Sequence, residues 1–192
     1  MGSVKGTKTE LNLLKAFAGE SQARMRYTFF AEKAKEEGYE QIAELFLETA
    51  YNEKVHAERF FSFLDRGENL EINAAYPAGI VGNTADNLKA AAMGENEEWT
   101  ELYPTFAKVA EEEGFKDVAN AFKFIAKVEV EHEIRYLKLL ENIESNLVFK
   151  KNEVSRWKCR ECGYVHEGES SLRKCPVCFK PEAFFEIKET NY

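Results

Sequence analysis

Long apolar runs are missing from this sequence: none approaches the roughly 18 residues that a helix needs to cross a bilayer. The opening residues, Met1-Gly2-Ser3-Val4-Lys5-Gly6, carry no apolar segment of the secretory kind. A cytoplasmic protein without membrane contact is the expectation. Cysteine is confined to Cys159, Cys162, Cys175 and Cys178, and none occurs before them. Two C-x-x-C pairs in a chain with no export signal read as metal binding rather than disulfides. Basic charge is short, with 26 Lys and Arg against 34 Asp and Glu, a net charge of −8. The shortage lies before Lys150, where 17 basic and 27 acidic residues give −10, while 9 basic and 7 acidic residues from Lys150 onward give +2. An acidic body of this kind lacks the clustered Lys and Arg that phosphate contacts require, so nucleic acid is not an expected partner. Histidine is rarer still, with three in the chain.

Two of those histidines fall in a repeated pattern. Glu53-Lys54-Val55-His56 recurs 76 residues later as Glu129-Val130-Glu131-His132. On a helix each carboxylate and its imidazole, three residues apart, project from one face. Around the first pair, Ile42, Phe46, Thr49, Phe60 and Phe63 continue that face. Around the second, Val118, Phe122, Ile125, Tyr136 and Leu139 do the same. A charge at the centre of an otherwise apolar stripe is costly to bury, and two of them, each beside a histidine, make sense with cations inside. At 192 residues and 44% hydrophobic content, the chain holds one bundle of ordinary size plus a small module.

Thr7-Lys8-Thr9-Glu10 has the form of a capping box opening a first helix that Gly38 ends, with Leu13, Phe17, Glu20, Ala23, Tyr27, Phe30 and Ala34 facing inward. A second helix is expected from about Tyr39 to Asp65. The stretch 68–83, with Pro77, Gly79 and Gly82, reads as a crossover. Sixteen extended residues span about 53 Å, enough to return along a 28-residue helix of about 42 Å. The third helix then runs parallel to the second, with Thr84 as its N-cap, the inner stripe Leu88, Ala91, Glu95, Glu98, Leu102, Phe106 and Val109, a disturbance at Pro104, and its end at Gly114. A fourth is expected over 115–145. The domain division is therefore an all-α four-helix bundle over 1–146 with a long crossover between helices 2 and 3, a linker over 147–156, and a small metal-stapled β/loop domain over 157–192.

The halves of the bundle repeat. Adding 76 maps Tyr27, Phe30, Gly38, Phe46, Glu53, His56 and Arg59 onto Tyr103, Phe106, Gly114, Phe122, Glu129, His132 and Arg135. Glu20 maps onto Asn96, one residue past Glu95, so one half carries an extra residue between its lone glutamate and its tyrosine. A π-bulge between Glu95 and Tyr103 would absorb it.

A lone glutamate and an E-x-x-H pair from each half is the donor arrangement of di-iron and di-manganese carboxylate bundles. Glu53 and Glu129 are placed to bridge two metals, His56 and His132 to cap one each, and Glu20 and Glu95 to close the ends. Glu98 adds a carboxylate one turn beyond Glu95. Glu133 is the nearest rival among the neighbouring acids. Tyr27 and Tyr103 face inward, either as core aromatics or as hydrogen-bond partners of the ligands. In the tail, Trp157, Tyr164, Phe184, Phe185 and Ile187 surround the cysteines in a core too small to stand without a metal. Four thiolates fit zinc or iron equally well by geometry. His166 is incidental.

Taken together, Ala18-Gly19-Glu20-Ser21-Gln22-Ala23-Arg24, the two E-x-x-H pairs, Gly94-Glu95 with Glu98, Trp157-x-Cys159-x-x-Cys162-Gly163-Tyr164 and Cys175-Pro176-Val177-Cys178 resemble the rubrerythrin family. That family joins a ferritin-like di-iron domain to a rubredoxin-like Fe(Cys)4 domain. The likeness spans nearly the whole chain and departs where rubredoxins carry glycine after the last cysteine and this chain has Phe179. It implies iron in both centres. It implies a peroxidase that reduces hydrogen peroxide to water in oxidative-stress defence, driven ultimately by NAD(P)H through a reductase or rubredoxin. It also implies a homodimer or larger homo-oligomer paired head to tail, and one iron held by His56 when reduced and by Glu98 when oxidised. Ferroxidase activity in iron handling, or a non-catalytic zinc-ribbon binding protein, are the alternative readings.

Overall fold

The computed structural model describes residues 2–191. Its bundle consists of α1 (Lys8–Glu36), α2 (Glu40–Phe61), α3 (Thr84–Glu97), a π-helical turn (Glu98–Leu102), α4 (Tyr103–Glu112) and α5 (Lys116–Glu144). The helix α3, the π turn and α4 follow one another without a break and together make the third rod of the bundle. The tail consists of β1 (Lys150–Cys159), β2 (Val165–Ser170), a 3-10 turn (Glu182–Phe184) and β3 (Phe185–Ile187), in an antiparallel sheet of order β2-β1-β3. No helix among the described residues is long and apolar enough to cross a membrane.

Gly38 and Gly114, at φ +83° and +85°, take the left-handed conformation that closes a helix and turns the chain back, so α1 with α2 and α4 with α5 are antiparallel hairpins. The hairpins are tied end to end by two matching clasps. Glu37, at the end of α1, accepts hydrogen bonds from the Thr84 backbone N–H (2.8 Å) and hydroxyl (2.6 Å) at the start of α3. Glu113, at the end of α4, does the same for Thr9 at the start of α1, at 2.8 Å and 2.6 Å. The start of the third rod therefore meets the end of the first, and the rod runs parallel to α2 as expected. Two apolar clusters fill the bundle, one around Phe30, Ile42, Phe46, Leu88 and Tyr136, the other around Leu13, Phe60, Tyr103, Val118 and Phe122. The functional site lies between them.

Several boundaries differ from the sequence reading. The second helix ends at Phe61 rather than near Asp65, because the Ser62 hydroxyl turns onto the Arg59 carbonyl (2.7 Å) and Phe63 and Leu64 bond three residues back. Both still pack into the core, so the apolar stripe outlasts the helix. The cap of α3 is Asn83, whose side chain accepts from the Asp86 N–H at 2.9 Å, since the Thr84 hydroxyl is spent on Glu37. The capping box is only half formed. Thr7 accepts from the Glu10 N–H at 3.1 Å, but the Glu10 carboxylate reaches the Gly6 N–H (2.7 Å) and takes two bonds from Arg66, at 2.8 and 2.7 Å. Beyond Glu98 the buried positions of the third rod are Tyr103, Ala107 and Ala110, not Leu102, Phe106 and Val109, because the π turn advances the helical phase. Pro104 falls in the first turn of α4, where its missing N–H costs least. The expected linker does not exist over 150–156: those residues begin β1, exposed on both faces and so without an alternating apolar signal. His166 lies in β2 opposite Trp157.

The Glu10–Arg66 pair yields a pH-dependent prediction. Arg66 holds the Glu10 carboxyl below its ordinary value, so its contribution to stability is complete above the ordinary glutamate range and disappears as pH falls through the lower native value. Arg66→Ala is expected to lower the urea midpoint near pH 7, with a deficit that shrinks by about pH 4. A deficit that does not change with pH contradicts this assignment.

Candidate metal centres

Four helices each contribute acidic ligands to the centre of the bundle. Glu20 from α1, Glu53 and His56 from α2, Glu95 from α3, and Glu129 and His132 from α5 are all buried. They fall into two overlapping sets, Glu20, Glu53, His56 and Glu129, and Glu53, Glu95, Glu129 and His132, each with its ligand atoms within 4.8 Å of one another. Glu53 and Glu129 belong to both. Glu129 places Oε1 3.0 Å from Nδ1 of His56 and Oε2 2.7 Å from Nδ1 of His132. Glu53 places Oε2 3.1 Å from His56 and Oε1 3.3 Å from His132. Each carboxylate thus offers one oxygen to each of two centres, which is what a bridging ligand does.

The donor atoms are mostly not bonded to one another. Among the described residues, seven buried side-chain polar atoms make no hydrogen bond, and six of them are in this cluster: Oε2 of Glu20, Oε1 of Glu53, Oε2 of Glu95, both oxygens of Glu129 and Nδ1 of His132. The seventh is the Tyr136 hydroxyl. His132 Nδ1 is 2.7 Å from Glu129, yet neither atom has hydrogen-bonding geometry. Lone pairs brought this close without a shared proton converge on a common point, and an unsatisfied buried carboxylate is expensive unless a cation occupies it. Mixed carboxylate and imidazole donors fit two divalent ions.

The electrostatics without metal make the same case. Burial, and then the charge of Glu53, push the Glu20 and Glu95 carboxyls well above the ordinary range. Burial works against the Glu53 charge, but His132 and His56 on either side outweigh it and hold that carboxyl down to about 2. Burial also opposes a charged His132, yet Glu129, Glu53 and Glu95 around it push the imidazole up to about 12. His56 is shifted upward in the same way by Glu129, Glu20 and Glu53. Metal-free, the cluster must keep protons on carboxyls and imidazoles; a bound cation takes their place.

Tyr27 and Tyr103 are the hydrogen-bond partners of the lone glutamates, and they cross between halves. The Tyr27 hydroxyl donates to Oε1 of Glu95, and that of Tyr103 to Oε1 of Glu20. Each bond leaves Oε2 free to face the centre. Glu98 stays outside both ligand sets. It is half-buried in the π turn and lines a cavity beside the cluster, and burial followed by the charges of Glu20, Glu95, Glu129 and Glu53 pushes its carboxyl well up. Glu133 is engaged elsewhere, accepting from Trp99 Nε1 (2.6 Å) and Asn96 Nδ2 (3.0 Å). The residue that sequence reasoning missed is Asn52, whose Oδ1 lies 3.2 Å from Nε2 of His132. Its repeat counterpart is Val128, so the internal symmetry argued against looking there.

In the tail, the four cysteine sulfurs also lie within 4.8 Å, with Cys159 and Cys178 at 3.6 Å and Cys162 and Cys175 at 3.5 Å. A tetrahedral ion with sulfurs at about 2.3 Å sets its edges at about 3.8 Å, close to these values. The two knuckles match: the Gly163 N–H bonds the Cys159 carbonyl at 2.8 Å and the Phe179 N–H the Cys175 carbonyl at 3.0 Å. Phe179 adopts φ +61° to do so, the left-handed conformation that Gly163 takes at φ +79°. The departure from glycine therefore keeps the turn, at a strain of about 1–2 kcal/mol.

Fold and site define a ferritin-like bundle with a dinuclear carboxylate centre, carrying a rubredoxin-like tetrathiolate module. The rubrerythrin family model matches residues 12–140, and the model for the rubredoxin-like domain of rubrerythrin matches 157–186. The chain belongs to the rubrerythrin family. It is 62% identical to the rubrerythrin of Porphyromonas gingivalis over 99% of this chain and 94% of the relative, and 60% identical to rubrerythrin-1 of Clostridium acetobutylicum over the full length of both. Among solved structures it resembles nigerythrin in its fully reduced, all-ferrous state, with a TM-score of 0.64 and 33% identity over 97% of this chain and 92% of that one. The protein is thus an iron-binding oxidoreductase with a two-iron centre in the bundle and a rubredoxin-like iron centre in the tail.

Shared bridging predicts how ligand losses distribute. Glu53→Ala is expected to cost iron at both bundle positions, whereas His132→Ala costs mainly one, with the red thiolate-to-iron absorption of the tail retained in each. Elemental iron analysis beside the visible spectrum checks this; loss of only one ion in Glu53→Ala would refute the bridge.

Proposed function

We propose that the protein is a cytoplasmic non-haem peroxidase that reduces hydrogen peroxide to water, H2O2 + 2 e− + 2 H+ → 2 H2O, in oxidative-stress defence. The observation that carries this reading is a two-centre carboxylate and imidazole pocket built into the same chain as a tetrathiolate module. Two ferrous ions held by Glu20, Glu53, His56, Glu95, Glu129 and His132 would supply the electron pair that one O–O bond needs. The tail returns electrons singly from a reductase or rubredoxin, ultimately from NAD(P)H, through Cys159, Cys162, Cys175 and Cys178. Oxidation of ferrous iron by O2 for storage needs no such donor, so the appended module favours the peroxidase over the ferroxidase.

The chain's residues divide the remaining work. Glu53 and Glu129 keep the two positions together. Tyr27 and Tyr103 fix Glu95 and Glu20 by their hydroxyl bonds. The two histidines differ in how firmly they are held: Nε2 of His132 meets Asn52, whereas Nε2 of His56 has no protein hydrogen bond among the described residues. We assign His56 as the ligand exchanged for Glu98 on oxidation, and this asymmetry, with Glu98 standing just outside the ligand set, supports it. A head-to-tail homodimer would offer each bundle the tetrathiolate of the other copy.

The test is stopped-flow oxidation of the fully reduced protein by peroxide and by O2. Faster oxidation by peroxide is expected, and preference for O2 would favour iron handling instead. Cys175→Ser is expected to react with peroxide once at near-parental rate but to lose donor-driven cycling; normal cycling rules out the tail as electron donor. Glu98→Ala is expected to keep the fold and much of the iron and to slow turnover by on the order of tenfold, while unaltered steady-state activity would exclude the exchange.

A further inference from the structure

Beside the cluster lies a cavity of about 310 Å³, roughly ten times the volume of one water in the liquid. Its inner wall is formed by Glu98 and Tyr103, the first half-buried against the carboxylate cluster and the second bonded to Glu20. The wall is open at two glycines, Gly19 and Gly94, each directly preceding a lone glutamate of the cluster. A Cβ at Gly19 would meet only the Tyr76 ring, 3.7 Å away, and one at Gly94 only the Arg26 guanidinium, also at 3.7 Å. Both positions therefore tolerate a side chain, and what a larger one would take up is cavity. The roof is the crossover segment 73–77, pinned where the Tyr76 hydroxyl donates to the Lys15 carbonyl at 2.8 Å. Lys15, Arg26 and Gln22 give the walls cationic and amide donors. The long crossover thus has a second use beyond joining parallel helices: it covers a cavity whose inner wall carries Glu98 and the Tyr103 that bonds Glu20.

We infer that the cavity roofed by residues 73–77 is the route by which small polar hydroperoxides reach the two-metal cluster, and that Tyr76 sets the size of molecule admitted. Hydrogen-bond donors on the walls suit a peroxide's oxygens, and the volume exceeds that of hydrogen peroxide, so the limit on bulkier ROOH is the roof. Reduction of such a molecule breaks its O–O bond, takes two electrons from the reduced iron centre and two protons, and yields ROH and water. This inference rests on the peroxidase reading.

The test uses the full chain, loaded with iron. Azide binding to the oxidised protein is followed optically, and protein reduced with dithionite is mixed with hydrogen peroxide or tert-butyl hydroperoxide. Gly19→Leu, which fills the cavity, is expected to slow both azide association and hydrogen peroxide reaction by on the order of tenfold, with iron content unchanged. Tyr76→Ala, which opens the roof, is expected to accelerate tert-butyl hydroperoxide about fivefold or more while leaving hydrogen peroxide within about twofold. If Gly19→Leu fails to take up iron, Tyr76→Ala decides alone: a parental rate with tert-butyl hydroperoxide overturns the inference. Slowed azide association in a protein whose parent does not reduce peroxide would sustain the route and sink the peroxidase reading. Normal peroxide turnover with both variants indistinguishable from the parent would do the reverse.

Discussion

Burying four carboxylates in the centre of a helical bundle is the constraint on which the rest of this structure depends. Glu20, Glu53, Glu95 and Glu129 are each at most 1% exposed, and among the described residues no arginine or lysine forms an ion pair with them. Two histidines do not offset four such charges, and the desolvation cost of an unpaired buried carboxylate runs to several kcal/mol. The cluster is tolerable with cations inside it or with protons in their place. The surroundings suit the first state: two tyrosines that occupy one oxygen of each lone glutamate, an asparagine behind His132, and apolar clusters on either side.

The bundle is almost a duplicate of itself, and its function lies in the difference. Up to the lone glutamates the halves are offset by 75 residues, Thr9 with Thr84 and Glu20 with Glu95; from the tyrosines onward the offset is 76. The extra residue is absorbed in the π turn over Glu98–Leu102. Without it, Tyr103 would be about 100° out of phase with Glu20. The same turn carries Glu98, at a position where the other half has the buried Ala23. It is pinned by Asn96 and Trp99 to Glu133, and the counterparts of those three residues are Ser21, Arg24 and Ala57. Near-symmetry supplies two equivalent metal positions, and one inserted residue makes their surroundings unequal.

Much of this was legible in the sequence because the chemistry is periodic. Paired E-x-x-H motifs on apolar stripes have few other physical uses, and the repeat revealed the π turn by a one-residue slip. What the sequence hid was hidden for definite reasons. The stripe beyond Glu98 continued in register on paper through Leu102, Phe106 and Val109, but the π turn rotated it, so Ala107 and Ala110 face the core beside the inward Tyr103 that the repeat had already indicated. The end of α2 was masked because Phe63 and Leu64 pack inward from a turn as well as they would from a helix. The start of β1 was masked by exposure on both faces. Asn52 left no trace, since a polar residue one position before a ligand is ordinary on any helix.

The central claim is that two cations replace protons in this cluster, and ferrous iron titrated anaerobically into chelator-stripped protein, in weak buffer, measures that replacement. Elemental analysis gives the ions bound and a pH electrode the protons expelled. Two ions bound in the bundle, beyond the one held by the cysteines, with net release of protons from glutamates and histidines, is the predicted result. Uptake of a single bundle ion, or uptake of two with no proton released, would contradict it.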